Sequence, residues 1–76
     1  MDINNLVNMA NRIGDFFESM PDKIEAKSGI ANHLSKFWEP RMRIALISKI
    51  NDASTADLHQ LVRQAINENL ELLAVK

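Results

Sequence analysis

The sequence contains no cysteine, and this absence removes several kinds of chemistry. A chain without cysteine cannot form a disulfide, hold zinc or an iron–sulfur cluster through thiolates, or use a cysteine nucleophile. A chain of 76 residues also buries only about 60% of the surface that its unfolded form exposes. Without disulfides, we expect so small a domain to depend on close helix packing or on a partner subunit.

Glycine and proline are scarce as well, since each occurs only twice. Gly14 and Gly29 stand alone within apolar patterns of helical period, so the sequence offers no glycine-rich loop for a phosphate group. We expect Gly14, inside the first predicted helix, to mark close packing against a neighbouring helix. The scarcity of both residue types predicts a chain that is helical almost throughout.

Long apolar runs and an excess of basic residues are also missing. No stretch has the ~20 apolar residues that a membrane-spanning helix needs, and Met1–Asn5 is polar and acidic, unlike a signal peptide. We therefore expect a soluble, cytoplasmic protein with no membrane partner. Nine basic residues against ten acidic ones give a net charge of −1. This balance argues against a nucleic-acid partner, because such binders usually present a basic face.

Apolar residues, 46% of the sequence, recur at three- and four-residue steps, which predicts an all-α fold with a packed core. We expect one helical domain over residues 1–76, with about four helices in a compact bundle or array. The helices are predicted near residues 3–20, 23–38, 40–51 and 55–74. The third is apolar nearly all round, which is typical of a buried or partner-covered helix and is compatible with self-association of the isolated chain.

Residues typical of helix starts stand at the beginning of each predicted helix. The predicted N-caps are Asp2, Asp22 and Ser54. Asp22 together with Glu25 resembles a capping box, and Pro40 suits the first position of the third helix, where its missing N–H costs no hydrogen bond. Leu72 and Val75 widen the apolar surface near the C-terminus.

Residues suited to catalysis or metal binding are few. His33 lies within the second predicted helix and His59 one turn into the fourth, and neither has a histidine or carboxylate four residues onward. Surface or core-edge positions are the more frequent role of such histidines. The serines lie at caps or helix surfaces, so no Ser/His/Asp set can be distinguished. We expect no catalytic, cofactor-binding or metal-binding residue, and a stand-alone enzyme is the least favoured class.

The segment from Phe37 to Arg43 holds the only tryptophan, a predicted helix break and two arginines on either side of a methionine. Because Trp, Arg and Met are enriched at the centres of protein interfaces, this segment is a candidate docking surface. The candidate interface residues are His33, Phe37, Trp38, Pro40, Arg41, Met42 and Arg43. A structural role is an equally weighted alternative, with Phe37 and Trp38 anchoring a corner between two helices. The two roles are compatible if Trp38 builds the corner while Arg41 and Arg43 face the solvent.

Three stretches carry a family resemblance. They are Leu-Val-Asn-Met-Ala-Asn-Arg-Ile-Gly-Asp-Phe-Phe at residues 6–17, Gly-Ile-Ala-Asn-His-Leu at residues 29–34 and Phe-Trp-Glu-Pro-Arg-Met-Arg at residues 37–43. On these stretches the chain resembles the delta subunit of NAD-dependent, molybdenum-containing formate dehydrogenases. The last of the three is the most specific, and the last predicted helix adds only its position.

The resemblance implies a non-catalytic subunit of a cytoplasmic formate dehydrogenase. In such enzymes the large subunit holds a molybdopterin guanine dinucleotide and iron–sulfur clusters, and other subunits pass electrons to FMN and NAD. The delta protein carries no cofactor and is associated with maturation or stability of the complex. The implied partner is the catalytic (alpha) subunit, with the other subunits as further candidates.

The runner-up class is a small helical nucleic-acid-binding regulator of the helix-turn-helix type. Gly29 and the break at Pro40 suit such a motif. The acidic balance and the lack of a recognition helix rich in lysine and arginine argue against it.

Overall fold

A computed structural model describes residues 2–74 of the chain. Its elements are α1 (Ile3–Glu18), α2 (Lys23–Phe37), α3 (Pro40–Ser48), a 3-10 turn (Ala53–Thr55), α4 (Gln60–Glu68) and α5 (Leu70–Leu73). Residues 2–74 contain no strand, so the predicted all-α fold is confirmed. Over the same range, no helix is both long enough and apolar enough to cross a membrane. Val75, which was predicted to extend the apolar surface, lies outside the described residues.

Local side-chain chemistry begins the first three helices. The carboxylate of Asp2 accepts a hydrogen bond from the backbone N–H of Asn4 at 2.9 Å. The carboxylate of Asp22 accepts from the N–H groups of Ile24, at 2.9 Å, and Glu25. Both satisfy N–H groups that have no partner within their helix. With Pro40 at the first position of α3, these three predicted starts are confirmed.

A fourth helix is present, but its predicted bounds are wrong. Residues 55–74 form the end of the 3-10 turn, a connecting segment and the two short helices α4 and α5. Ser54 is not the N-cap, because Asp52 caps the turn by accepting from the N–H of Ser54 at 2.9 Å. The predicted ends of the other helices differ by one to three residues, since α1 ends at Glu18, α2 at Phe37 and α3 at Ser48.

Two side chains, Thr55 within the segment and Arg63 in α4, hold the segment between α3 and α4 in its non-helical form. The hydroxyl of the buried Thr55 donates to the carbonyl of Lys49 at 2.8 Å. The guanidinium of Arg63 donates to the carbonyl of Ile50 and, at 2.5 Å, to that of Thr55. These bonds satisfy carbonyl groups that a continuous helix would have paired within itself, so the chain can turn here without leaving them unpaired.

The core lies where α1, α2 and α4 pack on one another, with α3 and α5 closing its ends. Its largest fully buried apolar side chains are Ile30, Leu34, Leu46, Val62, Ile66 and Leu73. α3 buries Leu46, while Ile44 and Ile47 on the same helix stay partly exposed. The helix that the sequence shows as apolar nearly all round is therefore only partly covered by the rest of the chain.

Two glycines allow α1 to approach its neighbours closely. A Cβ atom at Gly14 would lie 2.7 Å from Cγ of His59 and 2.9 Å from Cγ2 of Val62. A Cβ atom at Gly29 would overlap the ring of Phe17. The predicted close packing at Gly14 is confirmed, and both helix contacts depend on the missing side chain.

Candidate functional site

The structure divides the predicted interface residues into a buried group and an exposed group. Trp38 and Arg43 are buried, at 6% and 8% exposure. Phe37 is 71% exposed, and Arg41 is also exposed. The remaining members behave as surface or core-edge residues: Pro40 is exposed, whereas His33 and Met42 are half-buried.

Arg43 is buried, so the arrangement in which both arginines of this segment face the solvent does not occur. Its Nη1 donates to the carbonyl oxygens of Trp38 at 2.9 Å and Ser35 at 3.1 Å. Its Nε donates to the carbonyl oxygen of Leu73 at 3.1 Å. A planar guanidinium suits this role because it presents several N–H donors in a fixed geometry. Arg43 therefore ties the end of α2 to the end of α5.

Trp38 builds the corner between α2 and α3. Its ring is part of the core, and its backbone N–H donates to the carbonyl of Leu34 at 3.1 Å, which closes the last turn of α2. Its own carbonyl is bonded by Arg43. The structural role proposed for Trp38 is thus confirmed, and only 6% of the residue is exposed in this fold.

The exposed group of the predicted interface begins at Phe37, the last residue of α2. Its ring lies beside that of His33, one turn earlier on the same helix, with ring centroids 4.8 Å apart. Such a ring pair holds Phe37 in a defined orientation although most of its surface faces the solvent. Because His33 also lines a groove between α1 and α2, the ring pair connects Phe37 to that groove.

The groove between α1 and α2 continues the aromatic surface of this ring pair. We call it the α1–α2 groove; it has a volume of about 400 Å³ and is lined by Arg12, Ile13, Phe16, Phe17 and His33. Phe16 is 74% exposed, and its ring meets that of Phe17 edge to face, with centroids 5.1 Å apart. Phe17 also packs against Gly29 of α2, so the same ring lines the groove and forms part of the contact between α1 and α2.

Sequence reasoning missed the four α1 residues of this groove. One signal was available in the pattern. At 3.6 residues per turn, Phe16 lies about 100° around the helix axis from Phe17, which belongs to the apolar stripe, so a helical α1 that buries this stripe leaves Phe16 at its exposed edge. That the groove also includes His33 could not be foreseen, because this depends on how α1 and α2 pack.

A second depression, of about 740 Å³, opens beside α5. Its lining residues are Ser35, Lys36, Trp38, Pro40, Arg43, Glu71 and Leu72. Arg43 uses its guanidinium to hold backbone carbonyls, which leaves Lys36 and Glu71 as the remaining charged side chains of the lining.

His59 brings three potential ligand atoms together at the junction of α1 and α4. Its Nε2 lies 3.0 Å from a carboxylate oxygen of Glu18 and 3.6 Å from one of Asp15, a grouping that could hold a metal ion. Its Nδ1 accepts a hydrogen bond from the N–H of Leu61 at 3.1 Å. In the neutral ring the proton is therefore on Nε2, which donates a hydrogen bond to the carboxylate of Glu18. A metal at Nε2 would require that proton to move to Nδ1 and the hydrogen bond with Leu61 to break.

The prediction that His59 lies one turn into a helix is accordingly wrong, because His59 is the N-cap of α4. Its backbone N–H donates to the side-chain oxygen of Asn11 at 2.7 Å, and the amide of Asn11 donates to the carbonyl of Asp57 at 3.0 Å. The arrangement favours a structural junction between α1 and the start of α4 over a metal centre.

Comparison with known proteins identifies the family. The chain matches the family model of the NADH-dependent formate dehydrogenase delta subunit, FdsD, over residues 5–66, a range that extends from α1 into α4. No curated protein and no solved structure shows a significant match. The family match covers most of the chain and includes all three stretches on which the sequence resemblance rests, so that resemblance is confirmed. The chain belongs to the family of NADH-dependent formate dehydrogenase delta subunits.

Proposed function

We propose that this chain is a non-catalytic accessory subunit of a cytoplasmic NAD-dependent formate dehydrogenase. It binds the catalytic (alpha) subunit and supports assembly, cofactor insertion or stability of the complex. The observation that carries the proposal is the aromatic surface formed by the α1–α2 groove and Phe37. Family membership indicates which complex the chain belongs to, and the groove is the surface by which we propose that it binds its partner.

The exposure of Phe16 and Phe37 supports a docking role. Each leaves more than 70% of its surface open to solvent, although a chain this small has few large apolar side chains to fill its core. Contiguous exposed apolar surface commonly marks a protein interaction site. Aromatic anchors at the centre of such a site supply a large share of the binding free energy.

The cofactor assignment comes from the family resemblance. In the proposal, as that resemblance implies, the molybdopterin guanine dinucleotide, the iron–sulfur clusters and FMN reside in the partner subunits. The residue types of this chain agree with it, because the chain has no cysteine thiolates for an iron–sulfur cluster and its isolated glycines provide no loop for a nucleotide. The partner subunits use NAD, and this chain acts on them only through binding.

Binding of this kind has a simple mechanism. A subunit that binds only one conformation of its partner shifts the equilibrium toward that conformation by its differential affinity. A cofactor-accepting form of the catalytic subunit could be held in this way until the cofactor is inserted. The same contact would cover an apolar surface of the partner during assembly.

The test uses the complete dehydrogenase, expressed with this chain as wild type or as the double variant Phe16→Ser/Phe37→Ser. The matched control is Ile24→Ser, which removes an equally exposed apolar side chain, 74% exposed, from outside the groove. We expect the double variant to lose co-purification with the catalytic subunit and to lower molybdenum content and formate oxidation. The control should behave as wild type. Full assembly and activity with the double variant would contradict the proposal.

The nucleic-acid alternative receives no support from a specific observation. Arg43 and Arg63 donate to backbone carbonyls, and Lys27 forms an ion pair with Glu68 at 2.9 Å. These cations are engaged within the fold, whereas phosphate binding depends on cations that a nucleic acid can reach.

A further inference from the structure

The charges on α1 are divided between its two flanks. Asp15 and Glu18 face His59 at the junction with α4, whereas Arg12 lines the α1–α2 groove. Of the five lining residues, Arg12 and His33 alone are ionisable, and each carries either a positive charge or none. The groove is therefore apolar with a cationic edge, and its lining residues include no carboxylate.

This combination selects the chemistry of an occupant. Ile13, Phe16 and Phe17 offer apolar surface for an aliphatic or aromatic side chain. A guanidinium pairs with a carboxylate through two parallel hydrogen bonds, a geometry that neutral or cationic groups cannot match. A groove between two helices also suits a short segment that inserts one apolar anchor.

We infer that the α1–α2 groove binds a segment of another formate dehydrogenase subunit that presents an apolar side chain next to an aspartate or glutamate. The apolar side chain inserts beside Phe16, and the carboxylate pairs with Arg12. This inference rests on the proposed function, since it names the chemistry of the partner that the same surface binds.

A second copy of this chain fits the groove less well. In a two-fold symmetric contact the same patch serves both partners, so each groove would meet the cationic edge of the other. Arg12 would then find no carboxylate among the lining residues of the other groove to pair with its guanidinium. Charge complementarity therefore favours an acidic partner over self-association at this surface.

The first experiment places a photo-crosslinking residue, p-benzoylphenylalanine, at position 16 of the full chain within the assembled dehydrogenase. Crosslinked peptides are identified by mass spectrometry. We expect a peptide from another subunit in which an apolar residue stands close to an aspartate or glutamate. The same label at Ile24, equally exposed but outside the groove, should not capture that peptide. A crosslink to a second copy of this chain, to a segment without acidic residues, or to nothing would overturn the inference.

The second experiment reverses the charge of the groove edge. Arg12→Glu should weaken the complex about tenfold or more, and it should reduce the loss of affinity that added salt causes in the wild type. Lys49→Glu is the control, because it makes the same change in net charge at an exposed position whose carboxylate contact is long, 3.9 Å from Asp52. Urea unfolding of each variant verifies that its fold is intact.

The outcomes separate this inference from the function on which it rests. If the complex forms but Arg12→Glu weakens it no more than Lys49→Glu does, the inference about the occupant is wrong and the accessory function stands. If wild-type chain and dehydrogenase subunits form no complex, the proposed function fails and the inference fails with it. Specific weakening by Arg12→Glu together with capture of an acidic, apolar segment supports both.

Discussion

Arg43 donates a hydrogen bond of 2.9 Å to the carbonyl oxygen of Trp38, and both residues are buried. The carbonyl belongs to the residue that closes α2, and the guanidinium comes from the first turn of α3. The same guanidinium reaches the carbonyl of Leu73 in α5. The side chain of Arg43 thus fixes the corner between α2 and α3, and the exposed Phe37 lies at that corner as the last residue of α2.

Replacing Arg43 by lysine should destabilise the protein although the charge is kept. A single ammonium group cannot reproduce the donors that serve Trp38 and Leu73 together, so buried carbonyls would be left unpaired. We expect the free energy of unfolding to fall by about 2 to 3 kcal/mol, measured by urea denaturation. Arg41→Lys, at the exposed arginine two residues earlier, should change it by less than about 0.5 kcal/mol. Equal midpoints for the two variants would show that the hydrogen bonds of Arg43 contribute little.

Asn11 should be the main polar tie between α1 and the start of α4. Its side chain accepts from the N–H of His59 at 2.7 Å and donates to the carbonyl of Asp57 at 3.0 Å. Asn11→Ala removes both bonds and leaves the part-buried N–H of His59 without its acceptor, which should cost about 1 to 3 kcal/mol. Asn8→Ala, at an exposed asparagine on the same helix, is the control and should be nearly neutral. Thermal unfolding of the two variants at equal concentration gives the comparison.

The features that sequence reasoning predicted correctly depend on near neighbours in the chain. Asp2 and Asp22 bond N–H groups two or three residues onward. Such contacts are set by local backbone geometry and need no knowledge of the tertiary fold. The close packing at Gly14 was also predictable, because a glycine within an amphipathic helix commonly marks such a contact. The residue that packs against it, His59, was not predictable from the sequence.

The features that sequence reasoning missed depend on contacts between distant residues. Arg43 bonds a carbonyl 30 residues away, and His59 owes its place at a helix start partly to Asn11, 48 residues earlier. The hydrophobic period of residues 55–74 continues across the turn before α4, so it predicts one helix where the carbonyl pairing of Thr55 and Arg63 gives a break. For the candidate site, Phe37 could be predicted from its motif. The groove could not, because its lining depends on how α1 packs on α2.

Adding one methyl group at Gly14 should destabilise the protein despite a gain in helix propensity. Alanine is favoured over glycine within a helix by about 1 kcal/mol, but its Cβ would overlap the ring of His59 and approach Val62, and such overpacking costs about 1 to 3 kcal/mol. We expect Gly14→Ala to lower the midpoint of urea unfolding. Ser28→Ala, at an exposed position within α2, should leave it unchanged or raise it slightly.

A double variant tests the cause of that loss. Serine can replace His59 as an N-cap without its ring, so the Gly14→Ala penalty should be smaller in the His59→Ser background than in the wild type. If Gly14→Ala lowers the free energy of unfolding equally in both backgrounds, a clash with the ring of His59 is not the cause of the loss. In that case the contact with Val62, which both variants keep, would have to account for the effect.

Asp52 should make the stability of the protein depend on pH at acid values. Its carboxylate accepts a hydrogen bond from the backbone N–H of Ser54. This bond holds the pKa of Asp52 below its ordinary value of 3.8, and the Ser54 side chain and the charge of Lys49 act in the same direction. Because the pKa is lowered by folding, the stabilising contribution is complete above the unfolded-state value and is lost as the pH falls through the folded-state value. Asp52→Asn keeps an acceptor for the N–H group but has no proton to bind in this range.

The wild type should therefore be more stable than Asp52→Asn at about pH 6, and the difference should shrink as the pH falls from about 3.8 through the lower folded-state pKa. The difference in unfolding free energy at each pH, from urea titrations in one buffer series, isolates this carboxylate because all other titrating groups are shared. A difference that stays constant across the series would show that the bond to Ser54 stabilises the turn equally well with the carboxyl protonated. The linkage between the Asp52 carboxylate and the fold would then be absent.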